Sequence, residues 1–252
     1  MEVYIIARDL LSHICRTVTW VRSVGGVPII LDNASSYPPL LEWYKTNPCQ
    51  IIKLQRNIGK LSPWVSGAVA KSEGEFYAVT DPDLDFANVP GNVLEVLRTT
   101  LQESTAKKVG VSLETIDLPK TDFGYEVASW EQQYWTDCID GLCNAAIDTT
   151  LAVYSHKRPL PLGATTPAIR LARPYTARHL PWYPGTCETE EYRYYLQNAD
   201  APGNHWTEKQ RLAFGGQPRS TASLLPLVEE RNILKEPCKW FGDWTGEYCA
   251  EG

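Results

Sequence analysis

Three aspartates alternate at Asp81, Asp83 and Asp85. Carboxylates at alternating positions can converge on a hard cation through their oxygens. A calcium loop of the EF-hand kind needs glycine at the sixth position and glutamate at the twelfth. Phe86 and Asn92 stand there instead, and an apolar run, not a helical pattern, leads in. A phosphatase-type aspartate is usually followed, after Asp-x-Asp-x, by Thr or Val, where this chain has Asp85. Two readings remain. One is a divalent-ion site in which carboxylates share the metal with a diphosphate; the other is a solvated acidic turn.

The elements that would position these groups are legible in the first hundred residues. Val3–Ala7, Val27–Leu31, Gln50–Leu54 and Glu75–Thr80 are short apolar runs that read as buried strands. Between them, Leu10, Leu11, Ile14, Val18 and Val21 recur at helical spacing, and Pro38-Pro39 opens a short helix. Ser62 with Pro63 predicts a capped helix running to about Glu73. Alternating strand and helix argue for right-handed βαβ units and a parallel sheet covered on both faces. Ligands of such sheets bind outside the carboxyl ends of the strands. Here those ends carry Arg8-Asp9, Asp32-Asn33, Arg56-Asn57 and the acidic triplet. Further on, Val93–Leu101 predicts a helix, Lys108–Ile116 a strand, Tyr125–Trp135 a helix and Ala145–Tyr154 a strand. Residues 158–185, rich in proline and aromatics, read as an irregular packed loop, and Glu188–Asn198 as a helix. The reading is one domain over residues 1–206, with a nucleotide-binding half to residue 90, and an extension over 207–252.

Composition narrows the classes. With 252 residues, 43% hydrophobic and 21% charged, the chain has the apolar content of a globular domain and not of a disordered one. A net charge of −6 argues against a nucleic-acid partner. No apolar run is long enough for a transmembrane segment, and the start lacks a signal-peptide pattern. The expectation is a cytoplasmic protein, or one peripheral at a membrane. Seven scattered cysteines without a Cys-x-x-Cys pair predict neither structural zinc nor a disulfide framework. Gly-x-Gly-x-x-Gly and P-loop cradles are both missing.

The succession Tyr4-Ile5-Ile6-Ala7-Arg8, Leu31-Asp32-Asn33-Ala34-Ser35-Ser36, Arg56-Asn57-Ile58-Gly59 and Val79-Thr80-Asp81-Pro82-Asp83 resembles the nucleotide half of GT-A-fold glycosyltransferases. It is most similar to family-2-like members, including small viral and bacterial ones. The resemblance covers about residues 3 to 90 and extends toward Tyr192. It implies a GT-A, Rossmann-like, mixed and mostly parallel sheet flanked by helices, with an irregular C-terminal extension. It implies transfer of a sugar from a nucleoside-diphosphate donor, UDP-sugar favoured, to a hydroxyl of a glycan acceptor, with inversion. The implied cofactor is Mn²⁺ or Mg²⁺. Ala7 and Arg8 would line base and ribose, Asp32 the base edge, and Asn57 the nucleotide. Arg8 and Lys60 would meet phosphate. Asp81, Asp83 and His179 would make up the metal site, Asp81 contacting ribose or metal-bound water and Asp83 ligating the ion, with Asp85 assisting. Arg173 and Arg178 would offset diphosphate charge, and Trp182 and Tyr183 would stack on the acceptor.

Inverting transfer needs a carboxylate to take the acceptor's proton. The family's Glu-Asp pair is missing here. Three candidates stand open: Glu131 at the border of an apolar helix face, Asp148 inside an apolar run, and Glu190–Glu191. The missing pair also leaves a non-catalytic nucleotide-sugar or glycan-binding protein as an alternative. A sugar nucleotidyltransferase would show a glycine-rich basic loop where Arg8-Asp9-Leu10-Leu11 stands.

Overall fold

The computed structural model describes residues 1–158 and 167–198. They belong to a compact unit, Met1–Asn198. The expected extension over 207–252 lies outside the described residues. The strands, in chain order, are β1 (Glu2–Ala7), β2 (Val27–Asp32), β3 (Gln50–Lys53), β4 (Phe76–Thr80), β5 (Leu84–Asp85), β6 (Lys108–Leu113), β7 (Cys138–Ile139), β8 (Leu142–Asn144), β9 (Ala152–Ser155) and β10 (Ala168–His179). The helices are α1 (Leu11–Ser23), α2 (Pro38–Thr46), α3 (Ser62–Val65), α4 (Val93–Glu103), α5 (Asp122–Glu131) and α6 (Glu190–Asn198).

The strands form one mixed sheet in the order β3-β2-β1-β4-β9-β6-β10-β8-β7, with β5 paired to β10. β1, β2, β3 and β4 pair in parallel, as do β6 and β10. β9 runs antiparallel between β4 and β6, so all six of those strands point the same way. This is the expected architecture, a mostly parallel sheet flanked by helices. Period-two alternation splits β1 between two layers. Ile5 and Ala7 meet Ile14 and Val18 of α1 and Leu40 and Tyr44 of α2 on one face. Tyr4 and Ile6 meet Trp64, Ala68 and Val69 on the other. The chain thus winds outward from β1 to β3 on one face and returns to β4 on the other. The order reverses between β1 and β4, and such a reversal is where α/β sheets open a crevice for ligand.

Several expectations are corrected. The helix predicted from Ser62 to Glu73 is only the single turn α3, with short 3₁₀ turns at Gly59–Leu61 and Val69–Lys71. Gly67, at φ 71°, stops it, a backbone region that favours glycine. Ser62 is not its cap; its hydroxyl accepts from Asn33 Nδ2 instead. The predicted strand Ala145–Tyr154 is loop up to Leu151, and only Ala152–Ser155 pair. Much of the predicted loop 158–185 is the twelve-residue strand β10. Its register on β6 shifts between Leu171 and Thr176, a bulge that contains the cis Arg173–Pro174 peptide. Cys138 and Cys143 form a disulfide across the β7–β8 hairpin, against the expectation of unpaired thiols. A two-residue turn, Asp140-Gly141, sets the two cysteines opposite each other, a pairing that sequence spacing alone does not show.

Gly110 shows how tightly the sheet's middle is packed. A Cβ there would lie 2.6 Å from the Leu151 carbonyl and 2.9 Å from the Ala152 Cβ. Both contacts are on β9 or the residue before it, which cannot retreat without breaking two ladders. Gly110→Ala is therefore expected to cost about 1–3 kcal/mol. The check is thermal melting, where that loss lowers the midpoint by roughly 2–4 °C per kcal/mol for a domain of this size.

Candidate functional site

The crevice at the β1/β4 reversal is built from four strand ends. β1 runs out into Arg8 and Asp9. Asp9 is fully buried at φ 58°, and its Oδ1 accepts from the Ser36 and Tyr37 amides at 2.6 and 2.8 Å. Arg8 donates to the Asn33 and Ala34 carbonyls at 2.6 and 3.0 Å and to the Asn198 carbonyl at 3.0 Å. Asn33 bridges to the loop after β3, giving Nδ2 to Gly59 O and Ser62 Oγ and receiving the Ile58 amide. Asp32, expected at a base edge, is buried and accepts on Oδ1 from the Ser35 amide and the Tyr44 hydroxyl, each at 3.2 Å. Burial pushes its carboxyl up despite those bonds. Ala7 is fully buried, and Asn57 turns its Oδ1 onto the Gly59 amide.

After β4 the acidic turn is pinned from three sides. Asp81 donates its amide to Thr149 O and accepts Thr149 Oγ1 on Oδ2 at 2.6 Å. The Pro82 carbonyl accepts from Thr17 of α1 at 3.0 Å. Asp83 O accepts the Leu180 amide at 2.8 Å, extending the β5–β10 ribbon in which Leu84 faces His179 and Asp85 faces Arg178. That ribbon brings His179 Nε2 to 3.4 Å from Asp83 Oδ2. Asp83 Oδ1 is buried with no hydrogen-bond partner.

The electrostatics divide the two carboxylates. Burial, then the neighbouring Asp83 charge, push Asp81 well above the usual carboxylate range. Burial also works upward on Asp83, but His179 and then His13 outweigh it and hold its carboxyl below that range. Asp83 is thus the resident anion of the crevice. Asp85 lies a step outward, with Oδ1 on the Ala87 amide and Oδ2 3.7 Å from Arg178. The expected ligand trio is only partly assembled. Asp83 and His179 meet, whereas Asp81 turns one oxygen to Thr149. Among the described residues, no three His, Cys, Asp or Glu side chains are gathered as a metal-holding group.

The candidate bases are dispersed. Glu131 is buried and accepts Arg170 NH1 on Oε2 at 2.9 Å. Burial pushes it up although Arg170 pulls the other way. Glu191 is also buried and caps α1, taking the Ser12 amide on Oε2 at 2.8 Å and the Ser12 hydroxyl on Oε1, with His13 Nδ1 at 3.3 Å. Glu190 is exposed. Asp148, expected inside an apolar strand, is an exposed loop residue paired with Lys60 at 3.0 Å. Its charge reaches Asp81. Trp182, expected to stack on a sugar, is 2% exposed and packs on His179 instead. Tyr183 donates to Asp117 at 2.8 Å.

Sequence reasoning missed the clasp made by α6. Tyr194 donates to Ser36 O, and Glu191 anchors the same helix to α1. Tyr195 lies within reach of the crevice charges. Burial, then Asp83 and Asp81, push its hydroxyl up to about 12. No local pattern marks that tyrosine among thirteen.

Arg173 and Arg178, expected near a diphosphate, are held by acids. Arg173 grips Glu114 through Nε and NH2, and Arg178 holds Asp117. Burial would raise Glu114, but Arg173, the Ile116 and Thr115 amides and Thr176 hold it down to about 2. A carboxyl depressed when folded stabilises the fold fully above its unfolded value near 4.5, and that contribution is lost as pH falls toward about 2. Glu114→Gln is expected to lower the melting midpoint at pH 7 and to flatten its decline between pH 4.5 and 2.5. Melting across that range checks both.

No protein-family model matches the chain, and no curated protein matches its sequence. Solved structures align with parts of the chain. S. aureus TarS residues 1–349 align at 12% identity over 61% of this chain and 46% of that one, with a TM-score of 0.41. A longer S. aureus TarS structure gives 12%, 61%, 28% and 0.40. GalNAc-T7 with UDP, GalNAc and Mn²⁺ gives 12% identity over 93% and 57%, with a TM-score of 0.43. The chain spans between about a quarter and three-fifths of those chains. At these values the likenesses carry no argument about chemistry. Among the described residues no helix is long and apolar enough to cross a membrane.

Proposed function

We propose that the protein is a glycosyltransferase of the GT-A type that moves a sugar from a nucleoside-diphosphate donor to a hydroxyl of a glycan. The carrying observation is Asp83, a partly exposed carboxylate with one buried, unpartnered oxygen, beside His179 and at the crevice where the strand order reverses. Buried acceptors are almost always satisfied, so an orphan here fits a ligand that the site is built to receive. Asp83 and His179 would hold Mn²⁺ or Mg²⁺, with donor phosphate oxygens completing the shell, as such ions prefer. Bound there, the ion would stabilise the charge on the departing diphosphate.

Arg8 and the loops after β2 and β3 flank the same crevice and would seat the nucleotide; Lys60 at the rim would meet phosphate. Glu131 and Glu191 are each committed to buried partners. Asp148, exposed and close enough to act on Asp81, is the carboxylate we assign to take the acceptor's proton. Exposed ion pairs add little to stability, about 0–1 kcal/mol. Asp148→Asn should therefore melt like the parent and lose turnover by about 10²–10⁴-fold. The experiment incubates the full chain with UDP- and GDP-sugars and Mn²⁺ and follows released nucleotide. Release that depends on metal and on Asp148 supports the reading. A thermal shift with nucleotide sugar but no release would make the protein a binder instead.

A further inference from the structure

Next to the crevice lies a trough that the proposed donor site does not use. Its inner part, about 220 Å³, is lined by Asp85, Asn88, Glu114, Asp117, Arg173 and Arg178. An outer part of about 480 Å³ shares Ile116 and Arg173 with it and continues past Trp135 to Ser129 and Gln132 at the end of α5. Ile116 and Arg173 border both, so the two parts adjoin as one open trough. It starts one register pair from Asp83 and His179, because Arg178 faces Asp85 in the ribbon where His179 faces Leu84.

The lining selects a ligand chemistry. Both guanidinium groups are already committed, Arg173 to Glu114 and Arg178 to Asp117 and Asp85. Three acids against two arginines leave a slight negative excess, so an anionic ligand would have to break ion pairs to enter. Fixed carboxylates and guanidiniums with spare lone pairs and N–H groups suit neutral hydroxyls. Trp135 adds a flat apolar wall, with Arg173 4.7 Å over its ring and its Nε1 buried without a partner. Ile116, 75% exposed, adds apolar surface at the junction.

We propose that this trough binds an uncharged oligosaccharide, with its reacting end at Asp85–Arg178 and a further ring on Trp135. As an acceptor site it rests on the transferase reading above; as a saccharide site it does not.

The test is direct binding, by calorimetry and saturation-transfer NMR, of cellotetraose, maltotetraose and N-acetylchitotetraose against tetragalacturonate, using the full chain. At least one neutral tetrasaccharide is expected to bind, and more tightly than tetragalacturonate. Trp135→Ala should weaken it up to about tenfold, the share of an aromatic platform. Ser129→Arg, at an exposed position whose side chain would fill the outer trough, should weaken it likewise without touching the core. No binding by the neutral set, preference for the uronate, or unchanged affinity in both variants would overturn the proposal. The UDP-induced thermal shift is measured alongside. Saccharide binding without any nucleotide shift or release would sink the transferase reading and leave the trough standing; the reverse would sink the trough alone.

Discussion

Asp83→Ala is expected to cut nucleotide-sugar turnover by about 10²–10³-fold or more while leaving the melting midpoint nearly unchanged. The activity arm follows from where charge develops. Donor cleavage places negative charge on a diphosphate, and removing one preorganised stabiliser of such charge typically costs that much. Asp83 is the anion through which the crevice would gather a cation, since its neighbour Asp81 is pushed toward the neutral form and spends one oxygen on Thr149. The stability arm follows from burial. The desolvated, unpaired Oδ1 costs the fold, while the His179 contact on Oδ2, which helps to hold the carboxyl ionised, stabilises it, so the two contributions oppose each other. The ribbon that carries it is held by backbone, Asp83 O to the Leu180 amide, which alanine keeps. Asp85→Ala should lose less turnover than Asp83→Ala, because Asp85 faces Arg178 and the trough and its loss acts on the acceptor's seat and not on the ion. The released-nucleotide assay and a melting curve on the same preparation decide the matter. Turnover within a few-fold of the parent would remove Asp83 from the chemistry.

The parts legible in the sequence are those whose physics is local. β1, β2 and β4 are buried on both faces, so they appear as unbroken apolar runs, and the acidic turn follows directly from the last of them. β10 is hidden in the sequence because polar Arg170 and Thr176 stand among its buried Ala168, Leu171 and Ala177. Arg170 is buried among ion-pair and aromatic partners, and the bulge at Arg173–Pro174 breaks the alternation a strand would show. Asp148 misled in the opposite sense. Ile147 and Leu151 are buried from a loop, so an apolar run mimicked a strand and an exposed carboxylate looked interior. Of the site, Asp83 was readable from its spacing. Its meeting with His179, ninety-six residues later, depends on an antiparallel ribbon of two register pairs, and nothing in either segment alone announces it. Glu191 stands in the first turn of α6, yet the helix it caps is α1, reached only by docking α6 across the fold.

The largest expected loss of stability is at Glu131. Its Oε2 receives Arg170 NH1 with both side chains about 5% exposed. Arg170 also donates Nε to Ala146 O at 2.6 Å, and its guanidinium lies 3.9 Å over the Tyr134 ring. Those contacts orient the cation without neutralising it. Glu131→Ala strands a buried positive charge and is expected to cost about 3–5 kcal/mol. Glu131→Gln keeps an acceptor for NH1 but no charge, and should fall between alanine and parent. The double replacement Glu131→Leu with Arg170→Met removes both charges at similar volume and should return most of the loss. Urea unfolding of the parent, Glu131→Leu, Arg170→Met and their double variant closes a double-mutant cycle, and a double loss equal to the sum of the two single losses would mean that the pair is not coupled. The same series decides between two roles for this carboxylate. As the arginine's partner, Glu131→Gln turns over within a few-fold of the parent once corrected for the folded fraction. A folded but inert Glu131→Gln would instead move the proton acceptor from Asp148 to Glu131, inward to a group that burial already pushes toward neutrality.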